Sequence, residues 1–155
     1  MNDTKTTTAA RVWFRFLRIK QRCQTIMTQR LRELGLSIAQ FDLMSTLSEA
    51  EGITQRDLAE KLYVTKGNVS GLVDRLVEAG LVLRKGIPGD RRSYALYLTE
   101  PGRSLVAQGM AVQMAFVEET LGALPNGDME QMDNVLIAWR DKLRPLEGDP
   151  AKGAK

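Results

Sequence analysis

The side chains best suited to chemistry lie between Thr54 and Arg92, and they are not those of a catalyst. The chain has no histidine and one cysteine, Cys23. It therefore lacks the commonest general base and the commonest metal ligand. No carboxylates gather where elements are expected to end, so no catalytic residue, metal site or cofactor is expected. What recurs instead is short polar and basic side chains beside glycine. Lys66, Gly67, Asn68 and Ser70 are followed by Arg75; Thr54, Gln55 and Arg56 precede them; Arg84, Lys85, Arg91 and Arg92 follow. Lysine, arginine and free backbone amides hold phosphates, whereas asparagine, serine and forked guanidinium groups read base edges. Taken singly, each of these residues reads equally well as solvated surface. As a set they suit a polyanion touched both at its phosphates and at its bases.

Three elements must bring that set to one face. In residues 65–80, Val69, Leu72, Val73, Leu76 and Val77 recur at three- and four-residue steps, which makes one apolar helix face. Thr65 is placed to cap this helix and Gly80 to end it. Lys66, Asn68, Ser70, Gly71, Asp74 and Arg75 take the other side. Before it, Thr54 caps a short helix, QRDLAEKL, with Leu58, Ala59 and Leu62 inward. Two short helices joined this tightly have helix-turn-helix spacing. After Gly80 the period changes. Residues 81–85 read as a strand, 86–92 (GIPGDRR) as a longer turn and 93–98 (SYALYL) as the return strand. A hairpin directly after such a helix is a wing, and Ile53 is placed to add a short strand contact to it.

The flanks are helical. Residues 1–9 are polar and threonine-rich and read as a disordered tail. From 10 to 34, Val12, Phe16, Ile19, Cys23, Ile26, Met27, Leu31 and Leu34 form a stripe that Trp13 and Leu17 broaden. Seven Arg or Lys side chains lie between Arg11 and Arg32 with no acid among them. Such a face suits phosphates, a membrane surface or plain solvent. Ser37 is placed to cap a helix over 37–50. A broadly apolar helix is expected from about Glu100 to Leu121, then a turn and a last helix capped by Asp128. Residues 146–155 read as a flexible tail. In a chain of 155 residues, a small winged domain over 36–99 cannot bury the helices of 10–34 and 100–145 against itself. A second copy related by a two-fold axis is the simplest cover. The expected fold class is thus mostly α with a small β wing: a winged helix-turn-helix domain plus N- and C-terminal dimerisation helices. No apolar run approaches a membrane span and no signal segment precedes the first helix, so a cytoplasmic protein is expected. The net charge of +3 permits a polyanionic partner without demanding one.

The chain resembles the MarR family of bacterial winged-helix transcriptional regulators over about residues 10–145. The strongest part is DRLVEAGLVLRKGIPGDRRSYALYLTEPGR, residues 74–103. The family's aspartate-any-arginine pattern falls on Asp90 and Arg92, and its leucine-threonine on Leu98 and Thr99. The resemblance implies that Asp90 braces the wing and that Arg92 reaches a minor groove. It implies a non-enzymatic homodimer that binds double-stranded DNA sequence-specifically at a palindromic operator. It implies most often a repressor that releases DNA on binding a small phenolic or related ligand, and the apolar wall of Trp13, Phe16, Phe41 and Met110 beside the basic residues of the first helix points to a small aromatic or acyl-aromatic acid. The family's ligand pocket maps onto Trp13, Arg15, Phe16, Lys20, Phe41, Met44, Met110 and Met114. Each of these also reads as core or dimer interface. Where the family commonly has threonine-arginine, this chain has Ser70-Gly71, so one expected DNA-facing arginine is missing. The alternative is therefore a winged-helix protein-interaction or structural module that has lost specific DNA binding. The family's peroxide sensors carry their cysteine near the start of the first helix. Cys23 sits mid-helix on the apolar stripe and reads as an inert thiol.

Overall fold

The computed structural model describes residues 2–62 and 66–147, without the side chains of residues 2, 3, 66 and 67. In chain order the elements are α1 (Asn2–Arg32), α2 (Ile38–Glu49), α3 (Gln55–Lys61), α4 (Lys66–Glu78), β1 (Val82–Ile87), β2 (Asp90–Leu98), α5 (Glu100–Thr120), a short 3-10 turn (Leu121–Ala123) and α6 (Asn126–Leu143). Contacts divide the chain into two compact units, Met1–Met114 and Ala115–Lys155. Among the described residues, no helix is long and apolar enough to cross a membrane.

Local chemistry sets the joints of the first unit. Gly35, at φ 75°, ends α1. Its N–H donates to the Arg32 carbonyl and that of Leu36 to the Leu31 carbonyl, the pair of bonds that closes a helix on a left-handed residue. Ser37 and Gln40 form a reciprocal capping box at the start of α2. Gly80, at φ 72°, closes α4 in the manner of Gly35. Thr65, the expected cap of α4, lies outside the described residues, as do residues 148–155 of the expected tail.

The core belongs to the winged part. Phe41, Leu43, Met44, Leu47, Leu58, Val69, Val73, Leu76, Val82, Leu96 and Leu98 are buried, joined by Met27 and Leu31 from the end of α1 and by Val106 from α5. Of the apolar faces expected for α3 and α4, Leu58, Ala59, Val69, Val73 and Leu76 are buried, and Leu62, Leu72 and Val77 are half-buried. Two glycines let α5 approach. A Cβ on Gly102 would stand 2.1 Å from the Leu81 carbonyl oxygen, and one on Gly109 2.6 Å from the Phe41 ring. Thr99 starts α5: its hydroxyl donates to the Gly80 carbonyl (2.7 Å) and accepts from the Gly102 N–H (3.1 Å).

Three expectations about boundaries change. The first helix begins at Asn2, not Ala10, so the segment expected as a disordered tail is helical from Asn2. No glycine or proline interrupts it, and the Thr8 hydroxyl donates back to the Thr4 carbonyl. The turn of the wing is shorter than expected. It comprises Pro88 and Gly89, with Gly89 at φ 83°, and Asp90–Leu98 is strand; a proline-glycine pair supplies the fixed and the positive φ that a tight turn needs. Finally, Asp128 lies within the first turn of α6, and Pro125 caps it by accepting the N–H groups of Asp128 and Met129.

Candidate nucleic-acid interface

β1 and β2 pair antiparallel from Val82↔Leu98 to Gly86↔Tyr94, and the register then jumps to Ile87↔Asp90. Arg91, Arg92 and Ser93 consequently face no residue of β1 and bulge from the ladder, which is how sheets re-aim side chains. Asp90 holds the bulge: its Oδ1 accepts the Arg92 N–H at 2.9 Å. That bond first, then those from Ser93, hold the Asp90 carboxyl below the usual carboxylate range. Arg91 and Arg92 are exposed. The expected strand contact is present beside them. The Gly52 N–H donates to the Leu96 carbonyl at 2.7 Å and the Leu96 N–H to the Ile53 carbonyl at 2.9 Å.

This third-strand contact sets the start of α3 against the wing. Thr54 caps α3, its hydroxyl accepting the Asp57 N–H at 3.1 Å, and bridges to Ala95. Thr54, Gln55 and Arg56 then line, with Arg92, Ser93 and Tyr94, a small cavity of about 60 Å³. Four residues expected to contact a polyanion, 38 positions apart in sequence at the extremes, thus share one recess. Arg56 is also 3.8 Å from Glu60 at an exposed site, a pair too weak to hold it. Ser93 and Tyr94 were not among the expected site residues. Tyr94 stands two positions after Arg92, the same-face spacing of a strand, and that spacing was the available signal.

Other expected contacts have different company. The Arg84 guanidinium donates from Nε to Gln55 Oε1 at 2.8 Å and pairs through Nη2 with Asp74. It is three-quarters buried at the junction of β1, α3 and α4. Arg84 and Gln55 therefore brace these elements against one another, because a fork this enclosed has its donors committed within the chain. Lys85 sits over the Tyr97 ring, 4.6 Å from its centroid, which leaves its ammonium at the surface. Asn68 and Arg75 are exposed and Ser70 is half-exposed on α4. Lys66 and Gly67 lie in the first turn of α4, but their side chains are outside those described. Gly71 is exposed, with nothing within 4 Å of where a Cβ would stand. At the base of the wing, Glu51 Oε1 accepts the Leu98 N–H at 2.8 Å and lies 3.2 Å from Arg103, whose Nη1 donates to the Leu98 carbonyl.

The eight residues implied as a ligand pocket are not gathered by the single chain. Phe41 and Met44 are core, at 2% and 0% exposure, because Phe41 fills the space that Gly109 leaves. Trp13 and Phe16 stack at 6.2 Å on α1, where they, Arg15 and Lys20 are exposed, as are Met110 and Met114 on α5. A larger cleft of about 770 Å³ lies between α1 and α2 and contains none of the eight. Gln21, Gln24, Thr25, Thr28, Gln29 and Arg32 line it from α1, and Ile38, Ala39 and Asp42 from α2. Asp42 keeps an exposed surface at this cleft, and partial desolvation there raises its carboxyl above the ordinary value. Cys23 is half-buried.

Comparison with known proteins places this arrangement. The MarR family profile matches residues 36–94, the helix-turn-helix and most of the wing. An HTH-type transcriptional regulator of Bacillus cereus is 30% identical over 105 residues, 68% of this chain and 69% of its own length. The transcriptional activatory protein BadR of Rhodopseudomonas palustris is 28% identical, over 96% of this chain and 87% of its own. Among solved structures, CouR from Rhodococcus jostii bound to p-coumaroyl-CoA superposes with a TM-score of 0.70 at 29% identity, covering 81% of this chain and 88% of CouR. With its fold, wing and recognition helix matched in this way, the chain belongs to the MarR family of winged helix-turn-helix transcriptional regulators, DNA-binding proteins that are not enzymes.

Proposed function

We propose that this regulator works as a homodimer on a palindromic operator in the cytoplasm, blocks transcription while bound, and leaves the DNA when it takes up a small aromatic or acyl-aromatic acid. The recess shared by Arg92 and the start of α3 is the observation that carries the DNA part. With Arg92 in a minor groove, residues 54–56 meet the neighbouring backbone, and Asn68 and Ser70 approach base edges in the major groove. Lys66, Gly67, Arg75, Lys85 and Arg91 add backbone contacts. Support for the dimer comes from large apolar side chains left exposed on α1 and α6, Ile19 at 60% and Val135 at 64% among them. Large apolar side chains exposed together along a helix are the usual mark of an association surface. Support for the effector class comes from CouR, bound to p-coumaroyl-CoA. The exposed Trp13, Phe16, Met110 and Met114, with Arg15 and Lys20, supply aromatic and cationic contacts for such a molecule.

The test begins with DNA flanking the protein's own gene, titrated at several salt concentrations. Arg92→Ala should weaken binding and flatten the salt dependence by up to about one phosphate equivalent. Asn68→Ala and Ser70→Ala should leave the salt slope in place and reduce operator preference, by roughly 1–3 kcal/mol for a good base contact. Full affinity and full preference in both α4 variants would instead favour a winged-helix module that has lost specific readout. The likeness to BadR, an activatory protein, favours a second reading in which the bound dimer activates. A promoter-reporter assay with and without the protein separates the two by the sign of the change.

A further inference from the structure

The bond between Arg84 and Gln55 does more than hold β1 to α3, because it decides which end of an amide is left over. An arginine Nε–H can only donate, so the Gln55 atom 2.8 Å from it is the carbonyl oxygen and not the nitrogen. Another edge of the same guanidinium is held by Asp74 of α4 through Nη2. Arg84 is thereby fixed from two sides. With its oxygen taken, Gln55 has its Nε2 group to offer, a donor of two hydrogens. Among the described residues no acceptor takes either of them.

Gln55 is at the same time one of the residues that line the recess beside Arg92. Its neighbour Thr54 is in the same condition. The Thr54 hydroxyl oxygen accepts the Asp57 N–H at 3.1 Å, and among the described residues nothing takes its hydrogen. The guanidinium groups of Arg56 and Arg92 can only donate. The recess is thus rich in donors. A phosphate oxygen, which only accepts, fits such a lining. A free amide that turned its carbonyl outward would spoil it.

We propose that Arg84 is a positioning residue for DNA binding: it turns the Gln55 amide so that Nε2 donates to a backbone phosphate next to the groove that Arg92 enters. This rests on the reading of the recess as a DNA face given above. Arg84 itself meets no phosphate, since its fork is spent on Gln55 and Asp74. Its contribution is made before DNA arrives. An amide free to rotate has to be ordered on binding, whereas this one is already aimed.

Variants of Gln55 and Arg84, titrated against DNA flanking the protein's own gene and compared by urea unfolding, test the proposal. Gln55→Met removes the donor without changing charge, so affinity should fall about tenfold and the salt slope should stay in place. Gln55→Glu keeps an oxygen toward Arg84 and puts a second carboxylate oxygen where Nε2 was. Its urea midpoint should hold or rise, while its DNA affinity falls further than that of Gln55→Met. A merely structural role would give the opposite order of affinities, since a carboxylate is the better partner for Arg84. Arg84→Met is combined with Asp74→Asn so that α4 carries no bare carboxylate. This pair should weaken binding by no more than Gln55→Met does, with an unchanged salt slope, and should cost nothing further in the Gln55→Met background. In the free protein, the Arg84 Nε–H should exchange with solvent faster in Gln55→Met than in wild type. Full affinity in Gln55→Met or Gln55→Glu overturns the proposal, and so do losses that add in the combined variant. An Nε–H exchange rate indifferent to Gln55 overturns it as well. So does a salt slope flattened by about 0.9 in the Arg84 variant, because Arg84 would then meet a phosphate directly. If Arg92→Ala weakens binding and the Gln55 variants do not, this proposal alone fails. If all of them bind like wild type, the reading of the recess as a DNA face fails with it.

Discussion

Replacing Gly71 by alanine should stabilise the protein and leave its DNA binding in place. Gly71 lies inside α4, and nothing stands within 4 Å of the position its Cβ would take. A new methyl group there meets no neighbour, so no packing term opposes the gain. What remains is the cost of glycine in a helix, about 0.8–1.0 kcal/mol relative to alanine. For a chain of this size that corresponds to a rise in Tm of about 2–4 °C, readable by thermal or urea unfolding. Gly71→Arg should give most of the same gain and also extend a cation from the α4 face that carries Asn68 and Arg75. If that guanidinium meets a phosphate, the log–log salt slope of DNA binding steepens by about 0.9. A loss of stability in Gly71→Ala would refute the reasoning, since it would mean that the helix needs glycine's backbone freedom here. A gain in stability with loss of operator binding would mean that the open position is where DNA backbone comes close.

Three further outcomes follow from the geometry. Gly102→Ala should destabilise the fold by about 1–3 kcal/mol or more, because its Cβ would meet the Leu81 carbonyl at 2.1 Å; an unchanged urea midpoint would show that α5 can shift away. Asp90→Asn should speed hydrogen exchange at the Arg92 amide and weaken DNA binding by less than Arg92→Ala does. The Asp90 carboxyl is held low by the Arg92 N–H, so its brace is intact above the unfolded-state pKa and is lost as pH falls through the lower folded value; wing amide shifts should move only in that acidic window. Asp42 behaves oppositely. Its pKa is raised by burial, so the folded chain favours the protonated form and its contribution to stability declines as pH rises through that raised value. Asp42→Asn should therefore raise Tm at neutral pH and flatten the pH dependence, and a lower Tm at neutral pH would show that the carboxylate has a partner worth more than its desolvation.

Much of this fold was legible because local rules and burial agree. The stripe of Val69, Val73 and Leu76 marks α4 at helical spacing, and the same side chains are fully buried. Gly35 and Gly80 mark helix ends by the left-handed residue that each end uses, and Ser37 marks a start by its reciprocal bond with Gln40. Asp90 and Arg92 were legible as a motif, and the bond between them is two residues long, a distance over which sequence spacing is nearly geometry.

Tertiary structure alone decided what each cation faces. Arg84 and Arg92 are both arginines on the wing, and nothing local separates them. Arg84 is enclosed because β1 runs beside Gln55 and Asp74, whereas Arg92 is exposed where the register jump lifts it from the ladder. Phe41 is buried because Gly109, 68 positions later, leaves room for its ring. In each case the deciding partner is distant in sequence, and only folding brings it within reach. Composition and periodicity determine which residues become helix, strand and core. Which polar groups are used up inside the chain and which are left for DNA depends on where the third-strand contact sets α3 against the wing.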